Sequence, residues 1–156
     1  MSEFPVLVLS PDAFTVIRAH GAQTYPHECC GALIGRADPA EVVRALPLPN
    51  TTEEGPRRRF LIRPQDYRAA ERAASESGLD LIGFYHSHPD HPARPSIHDL
   101  ERAWPNLHYI ILSVLEQRPD ALRSWWLRDD RSAFDERDVT IGDIAPSSDT
   151  ASAASG

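Results

Sequence analysis

The sequence contains no lysine and only two cysteines, so it offers no internal amine for conjugation and little material for disulfide bonds. All of the 16 basic residues are therefore arginines, and against 23 acidic residues they give a formal net charge of −7 at pH 7. This acidic balance argues against a general nucleic-acid binder, which presents an excess of positive charge. No apolar run approaches the roughly 18 residues that are needed to cross a bilayer. We expect neither nucleic acid nor a membrane as a partner.

The two cysteines are neighbours, Cys29 and Cys30. A vicinal pair closes almost no loop, so it is a poor structural staple. The first residues of the chain also lack the basic segment and the apolar core of a secretory signal. The sequence therefore predicts two buried, reduced thiols and a cytoplasmic location.

A chain of 156 residues is long enough for one domain and too short for two comfortable ones. Residues 145–156 consist of small and polar residues with proline, which cannot bury enough apolar surface to offset their ordering entropy. We predict one domain over residues 1–144 and a disordered tail over residues 145–156.

Short apolar runs predict strands, and capping signals predict helices. Ser10, Pro11 and Asp12 are typical of a helix start, and Gly78 is typical of a helix end. The predicted helices begin at Pro11, at Pro64 and near Ser96. The predicted strands cover residues 6–9, 30–35, 41–48, 59–62, 79–85, 109–115, 122–127 and 138–141. Strands and helices mixed in one domain indicate an α/β or α+β fold.

Two further patterns concern surfaces. Residues 57–59 are three consecutive arginines, which we interpret as a solvated loop face. Trp125 and Trp126 lie on a predicted strand and must point to opposite faces, so we expect one of them in the core.

His86 and His88 are the strongest chemical signal among the seven histidines. At positions i and i+2 on a strand end their side chains share one face, where two imidazoles can ligate a single metal. Asp99 follows in the first turn of the helix predicted near Ser96, and a proline-rich loop can fold it back toward the pair. Two nitrogens and one carboxylate leave an open fourth position, which is typical of catalytic zinc. Ser96 and Asp99 also resemble a helix capping box, and that role is compatible with a ligand role.

A hydrolytic zinc needs a base for its water, and the candidate is Glu28, which directly precedes a buried-looking strand. Taken together, these residues resemble the signature of the JAMM metallopeptidases, also called the MPN-plus or JAB family. That signature is a remote Glu, then H-S/T-H, then S-x-x-D. The matching segments here are Glu28-Cys29-Cys30-Gly31, Gly83-Phe84-Tyr85-His86-Ser87-His88-Pro89 and Ser96 to Asp99. The flanking residues are similar to the prokaryotic branch of the family.

The resemblance implies an α/β fold with a single curved mixed β-sheet flanked by helices, of the JAB/MPN, cytidine-deaminase-like class. It also implies one Zn²⁺ per chain, with His86, His88 and Asp99 as ligands. Glu28 would act as the base, and Ser96 would donate a hydrogen bond to the oxyanion. The implied activity is hydrolysis of the peptide or isopeptide bond after the C-terminal Gly-Gly of a ubiquitin-like or sulfur-carrier protein, for example in a carrier–cysteine adduct. A homodimer is compatible with the sequence.

Other interpretations stay open at this point. The main one is a non-catalytic MPN-type interaction scaffold, which the zinc content of purified protein would distinguish. His86 to His91 also match the H-x-H-x-D-H motif of the metallo-β-lactamase fold, although only His98 and His108 remain downstream as ligands. A DNA-repair-associated branch of the JAMM family is disfavoured because Ser87, rather than Asn, lies between the histidines. A cysteine nucleophile at Cys30 would need a positioned base, and thiols within buried strands are inert.

Overall fold

The computed structural model describes residues 6–52, 55 and 60–144. Within these ranges the chain forms one eight-stranded sheet and three helices. The helices are α1 (Pro11–Thr24), α2 (Pro64–Glu76) and α3 (Ile97–Arg102). The strands are β1 (Leu7–Leu9), β2 (Cys30–Arg36), β3 (Glu41–Leu48), β4 (Asp80–Pro89), β5 (His108–Leu115), β6 (Arg118–Leu127), β7 (Phe134–Arg137) and β8 (Val139–Ile141).

The sheet is mixed, and its strand order is β7-β6-β5-β4-β2-β3-β1-β8. The central strand β4 is antiparallel to β2 and parallel to β5, and β1 is parallel to both β3 and β8. The predicted class, a mixed sheet flanked by helices, is confirmed. None of the helices in the described ranges has the length and hydropathy that a membrane span requires.

Two apolar clusters lie on the two faces of the sheet. Neighbouring residues of β4 alternate between them, since Phe84 belongs to one cluster and Tyr85 to the other. Helix α1 contributes Ala13 and Ile17 to the cluster that contains Tyr85, and α2 contributes Ala70 to the cluster that contains Phe84. Helices therefore cover both faces, and the even-numbered side chains at the end of β4 emerge on the α2 face.

The three predicted helix starts are confirmed, and α1 and α3 have side-chain caps. The Ser10 hydroxyl accepts a hydrogen bond from the Ala13 N–H at 3.0 Å, and Pro11 occupies the first turn, where its missing donor costs nothing. Helix α3 begins with a complete capping box between Ser96 and Asp99. This second cap matters for the site, because it fixes the direction of the Asp99 carboxylate.

Four strands differ from the predictions by more than one residue. Strand β4 continues through both histidines to Pro89, whereas the prediction ended it at residue 85. Residues 60–62 form no strand, and residue 59 lies outside the described residues. Strand β6 begins at Arg118 rather than at residue 122, because a tight turn at Glu116 and Gln117, with φ of 50° and 70°, starts the hairpin directly after β5. The edge strand β7 was not predicted, since its four residues contain only one apolar side chain.

Neither tryptophan of β6 is fully buried, so the expectation of one core tryptophan is wrong. Trp125 packs against the α2-side cluster and donates its indole N–H to the Ala93 carbonyl at 3.1 Å. Trp126 meets the ring of His108 edge to face at 4.9 Å. The three consecutive arginines and the tail over residues 145–156 lie outside the described residues, so both interpretations, like the domain boundary at residue 144, stay predictions.

Candidate metal centre

Strand β4 and helix α3 bring three polar side chains together on the α2 face of the sheet. The Nε2 atoms of His86 and His88 lie 3.2 Å apart. The Oδ2 atom of Asp99 lies 3.3 Å from Nε2 of His86 and 3.2 Å from Nε2 of His88. The predicted trio therefore converges on one point.

The hydrogen bonds around the trio fix which atoms face that point. Nδ1 of His88 lies 2.8 Å from the Pro92 carbonyl, which can only accept, so Nδ1 carries the proton in the neutral ring. Nε2 of His88 then presents a lone pair to the Asp99 carboxylate. The Ser96 N–H donates to the same Oδ2 atom at 2.8 Å and orients it. A lone pair against a carboxylate oxygen is repulsive unless a proton or a metal ion lies between them.

The spacing of the three atoms matches a tetrahedral metal. Two ligand atoms about 2.0–2.1 Å from a zinc ion, separated by the tetrahedral angle, lie about 3.3 Å from each other. The three observed distances are 3.2, 3.2 and 3.3 Å. The donor set and its spacing are thus suited to a zinc ion with a fourth position left open.

Burial and neighbouring charges shift the pKa values of the candidate ligands. Burial lowers the pKa of His86, although Asp99 acts in the opposite direction, so the imidazole is neutral near pH 7 and its lone pair is available. Burial alone would raise the pKa of Asp99, but His86, His88 and the Ser96 N–H together hold it well below its usual range. Asp99 therefore stays ionised.

Phe60 orients His86 in place of a hydrogen bond. The two rings stack with centroids 4.4 Å apart. Nδ1 of His86 is buried and has no hydrogen-bond partner within the described part of the chain. Metal-binding histidines usually donate their second N–H to an acceptor, as His88 does. The position of His86 therefore depends on packing.

Glu28 lies just before β2 and is 4% exposed. Its carboxylate and the two histidines offer ligand atoms that all lie within 4.8 Å of one another. Oε1 has no hydrogen-bond partner among the described residues. Burial, and then repulsion by Asp99, raise the pKa of Glu28 to about 9. Glu28 and Asp99 could each be the third ligand beside the histidines, but Asp99 has the ligand spacing and is ionised. Glu28 has the greater tendency to take up a proton.

The backbone sets the direction of the Glu28 side chain. The Asn50 side-chain amide donates to the Glu28 carbonyl at 3.1 Å. The next residue, Cys29, donates its N–H to the Ser87 hydroxyl at 2.8 Å and accepts the Ser87 N–H at 3.1 Å. Oδ1 of Asn50 also accepts the Leu61 N–H at 3.1 Å. No local sequence pattern around Asn50 points to this role, so the sequence analysis did not identify it.

A cavity of about 330 Å³ opens beside His86 and Asp99. Its walls are formed mainly by aromatic and aliphatic side chains. Because the residues that line the cavity come from distant segments of the chain, the sequence alone did not predict the cavity. They include Phe60, Phe84, Trp104, Tyr109, Ile111 and Phe134.

The residues of the rival patterns do not join the site. Asp90 is held by the Tyr25 hydroxyl at 2.6 Å and by the Glu116 N–H at 2.8 Å, and His91 is exposed. The match to H-x-H-x-D-H is therefore incidental. Both cysteines are buried free thiols, as expected, and burial raises the pKa of each, that of Cys29 to about 11. A cysteine nucleophile is not supported.

Comparisons with known proteins agree with this geometry. The family model described as prokaryotic homologs of the JAB domain matches residues 10–128. A desampylase from Haloferax volcanii is 38% identical over 112 residues, which cover 69% of this chain and 80% of the relative. A probable TtuB-protein conjugate cleaving protease from Thermus thermophilus is 38% identical over 97 residues, which cover 62% of this chain and 63% of the relative.

Solved structures show the same fold. A protein from Desulfitobacterium hafniense matches with a TM-score of 0.78 and 31% identity, over 89% of this chain and 94% of its own. A JAB1/MPN domain protein from Archaeoglobus fulgidus matches with a TM-score of 0.57 and 19% identity, over 88% of this chain and all of its own length.

Proposed function

Since the chain belongs to the family of prokaryotic homologues of the JAB domain, we propose that it is a zinc-dependent hydrolase of protein conjugates. Its substrate would be a ubiquitin-like or sulfur-carrier protein, cut at the bond after the C-terminal Gly-Gly. The observation that carries the proposal is the ligand-spaced trio of His86, His88 and Asp99. The names of two relatives, a desampylase and a conjugate-cleaving protease, support the substrate class.

His86, His88 and Asp99 would hold one zinc ion. When bound, zinc polarises a carbonyl and lowers the pKa of water to about 7. The fit rests on the spacing, on the tautomer that Pro92 imposes on His88, and on the ionised state of Asp99.

Glu28 would accept the proton of the attacking water and return it to the leaving amine. Its carboxylate is buried beside the histidines, and Oε1 has no partner that would compete for that proton in the described structure. In the metal-free site the pKa of Glu28, about 9, keeps the carboxyl protonated near pH 7, so the role as base requires that the positive charge of a bound Zn²⁺ lower that pKa.

The Ser96 hydroxyl would donate a hydrogen bond to the oxyanion that forms from the scissile carbonyl. In the structure its oxygen accepts the Asp99 N–H at 3.1 Å, which anchors the side chain and leaves the hydroxyl hydrogen available. The residue is exposed at the start of α3, directly beside the ligand trio. A donor aimed at a developing oxyanion typically contributes about 3–4 kcal/mol to transition-state stabilisation.

The test uses two forms of a ubiquitin-like carrier that ends in Gly-Gly. One form is extended by a short peptide, and the other is joined to a lysine side chain through an isopeptide bond. Intact mass before and after incubation should show cleavage directly after Gly-Gly. Chelation should abolish cleavage, and zinc should restore it. A purified protein that holds no zinc and cleaves neither form would instead favour the interaction scaffold.

A further inference from the structure

The loop between β4 and α3 is held by side-chain donors from three strands. Its residues, 89–95, include three prolines, which have no N–H, so the loop has few backbone donors of its own. Three consecutive carbonyl groups of this loop, those of His91, Pro92 and Ala93, accept hydrogen bonds in turn from Ser113 of β5, His88 of β4 and Trp125 of β6. We propose that Ser113 and Trp125 are positioning residues of the metal centre, which act on His88 through the loop. This inference rests on the proposed function, because it concerns the same site.

Ser113 lies beside His88 in the sheet. The two residues are partners in the parallel pairing of β4 with β5, so their side chains lie on the same face. Ser113 is 2% exposed, and its hydroxyl donates to the His91 carbonyl at 2.6 Å. The hydroxyl therefore holds the loop against the strand end that carries His88.

Pro92 is the loop residue whose carbonyl contacts the metal site, at 2.8 Å from Nδ1 of His88. Ser113 holds the carbonyl before it, and Trp125 holds the carbonyl after it at 3.1 Å. Each peptide group is planar, and the proline ring fixes the φ angle of Pro92. The peptide group that carries the Pro92 carbonyl therefore lies between two anchored peptide groups and has little freedom to rotate.

His88 depends on this contact, because the Pro92 carbonyl keeps the ring proton on Nδ1 and the lone pair on Nε2. His86 has no such acceptor in the described part of the chain and is oriented by the ring of Phe60 instead. If the Pro92 carbonyl turned away, the proton of His88 could move to Nε2, and that atom would then offer no lone pair beside Asp99. The loop also leads directly into α3, so its position affects Asp99 as well as His88.

Ser113→Ala and Trp125→Phe each remove one donor to the loop, and zinc affinity measures the effect. In competition with a chelator of known affinity, we expect the zinc Kd of each variant to rise about tenfold, the lower end of the loss found when an outer contact of a metal ligand is removed. Ser124→Ala is the matched control, because Ser124 is also a buried serine and its hydroxyl has no hydrogen-bond partner in the described structure. Ser10→Ala removes the cap of α1 and controls for lowered stability alone. An unchanged Kd in Ser113→Ala, or an equal rise in Ser10→Ala, overturns the inference.

A measurement on the metal-free protein separates this inference from the proposed function. Nitrogen NMR of isotope-labelled histidine at pH 8, where an ordinary imidazole is neutral, shows which ring nitrogen of His88 carries the proton. We expect Nδ1 in the parent, and in Ser113→Ala a severalfold larger share of the form that is protonated at Nε2. Ser113→Thr keeps the hydroxyl and should restore the parent spectrum.

The two proposals can fail separately. The expected tautomer change supports the positioning role even if the parent binds no zinc and cleaves no carrier, a result that would count against the hydrolase alone. The same tautomer in the parent and in Ser113→Ala overturns the positioning role and leaves the hydrolase standing.

Discussion

The variant Glu28→Gln distinguishes the proposed proton acceptor from the proposed metal ligands. The amide keeps the size and shape of the side chain, and Asn50 and Ser87 still hold the backbone on either side. Only the ability to take up a proton is removed. If Asp99 is the third ligand, the metal site of the variant stays complete, and zinc per chain should equal that of the parent.

The size of the effect follows from the role. General base catalysis contributes about 10²–10⁴-fold, so kcat should fall by that factor, which corresponds to about 3–5 kcal/mol. Stability should not fall with it. Glu28 is 4% exposed and Oε1 has no partner in the described structure. Its raised pKa makes the carboxyl of the metal-free protein neutral near pH 7, so a neutral amide of the same shape costs about as much to bury there.

Zinc content, melting temperature and turnover of a Gly-Gly-extended carrier should be measured on one preparation. Glu76→Gln, at an exposed position, is the matched control and should behave like the parent. Loss of zinc in Glu28→Gln would make Glu28 a ligand and would refute the assignment. Turnover close to that of the parent with zinc retained would refute the role of Glu28 as base.

Three further predictions concern the ligands, the support of Glu28 and the pH dependence. His88→Ala should lower bound zinc from near one per chain toward zero, measured by metal analysis, while His91→Ala, which changes an exposed histidine of the same segment, should keep it. Asn50→Ala removes the donor to the Glu28 carbonyl and should lower kcat about tenfold with KM and zinc nearly unchanged. An equal loss in Thr51→Val, whose hydroxyl bonds the nearby Leu61 carbonyl, would contradict a specific role of Asn50. Burial, and then Arg137, lower the pKa of His108 from 6.5 to about 4. Between these two values the unfolded chain binds a proton more readily than the folded protein does, so the free energy of unfolding is highest above pH 6.5 and falls as the pH falls toward 4. Denaturant unfolding of the metal-free protein should show that the parent loses up to about 3 kcal/mol more than His108→Asn between pH 7 and 4, and equal losses would contradict the prediction.

Local signals predicted much of the fold. The Ser-Pro-Asp start of α1 and the Ser96 cap of α3 need only a few neighbouring residues, and both were located correctly. The bounds of β3 were also predicted as the structure has them. These elements are determined by short patterns of capping residues and apolar side chains, so each of them can be predicted from its own segment of the sequence.

Other elements depend on partners far away in the chain. Strand β7 has a single apolar residue and exists because it completes the edge beside β6. Residues 60–62 have the composition of a strand, but the Leu61 N–H and carbonyl are taken by Asn50 and Thr51, and Phe60 turns onto His86. Tertiary contacts override local propensity in both places.

The candidate site depends both on local sequence patterns and on contacts between distant segments of the chain. His86, His88 and Asp99 lie within 14 consecutive residues, and a strand end, a loop and a capped helix place them. Glu28 is far away in the sequence, and only the pairing of β2 with β4 brings it to the histidines. Cys30 pairs with His86, so Glu28 lies opposite His88 where the pairing extends beyond β2.

A slip of one residue in this pairing would turn the Glu28 side chain to the opposite face of the sheet. The two hydrogen bonds between Ser87 and Cys29 hold the register at this point, 2.8 and 3.1 Å long. The residue between the two histidines therefore has a structural reason to carry a hydroxyl. The Ser87 side chain lies on the face opposite His86 and His88, and it fixes the position of Glu28, the proposed base.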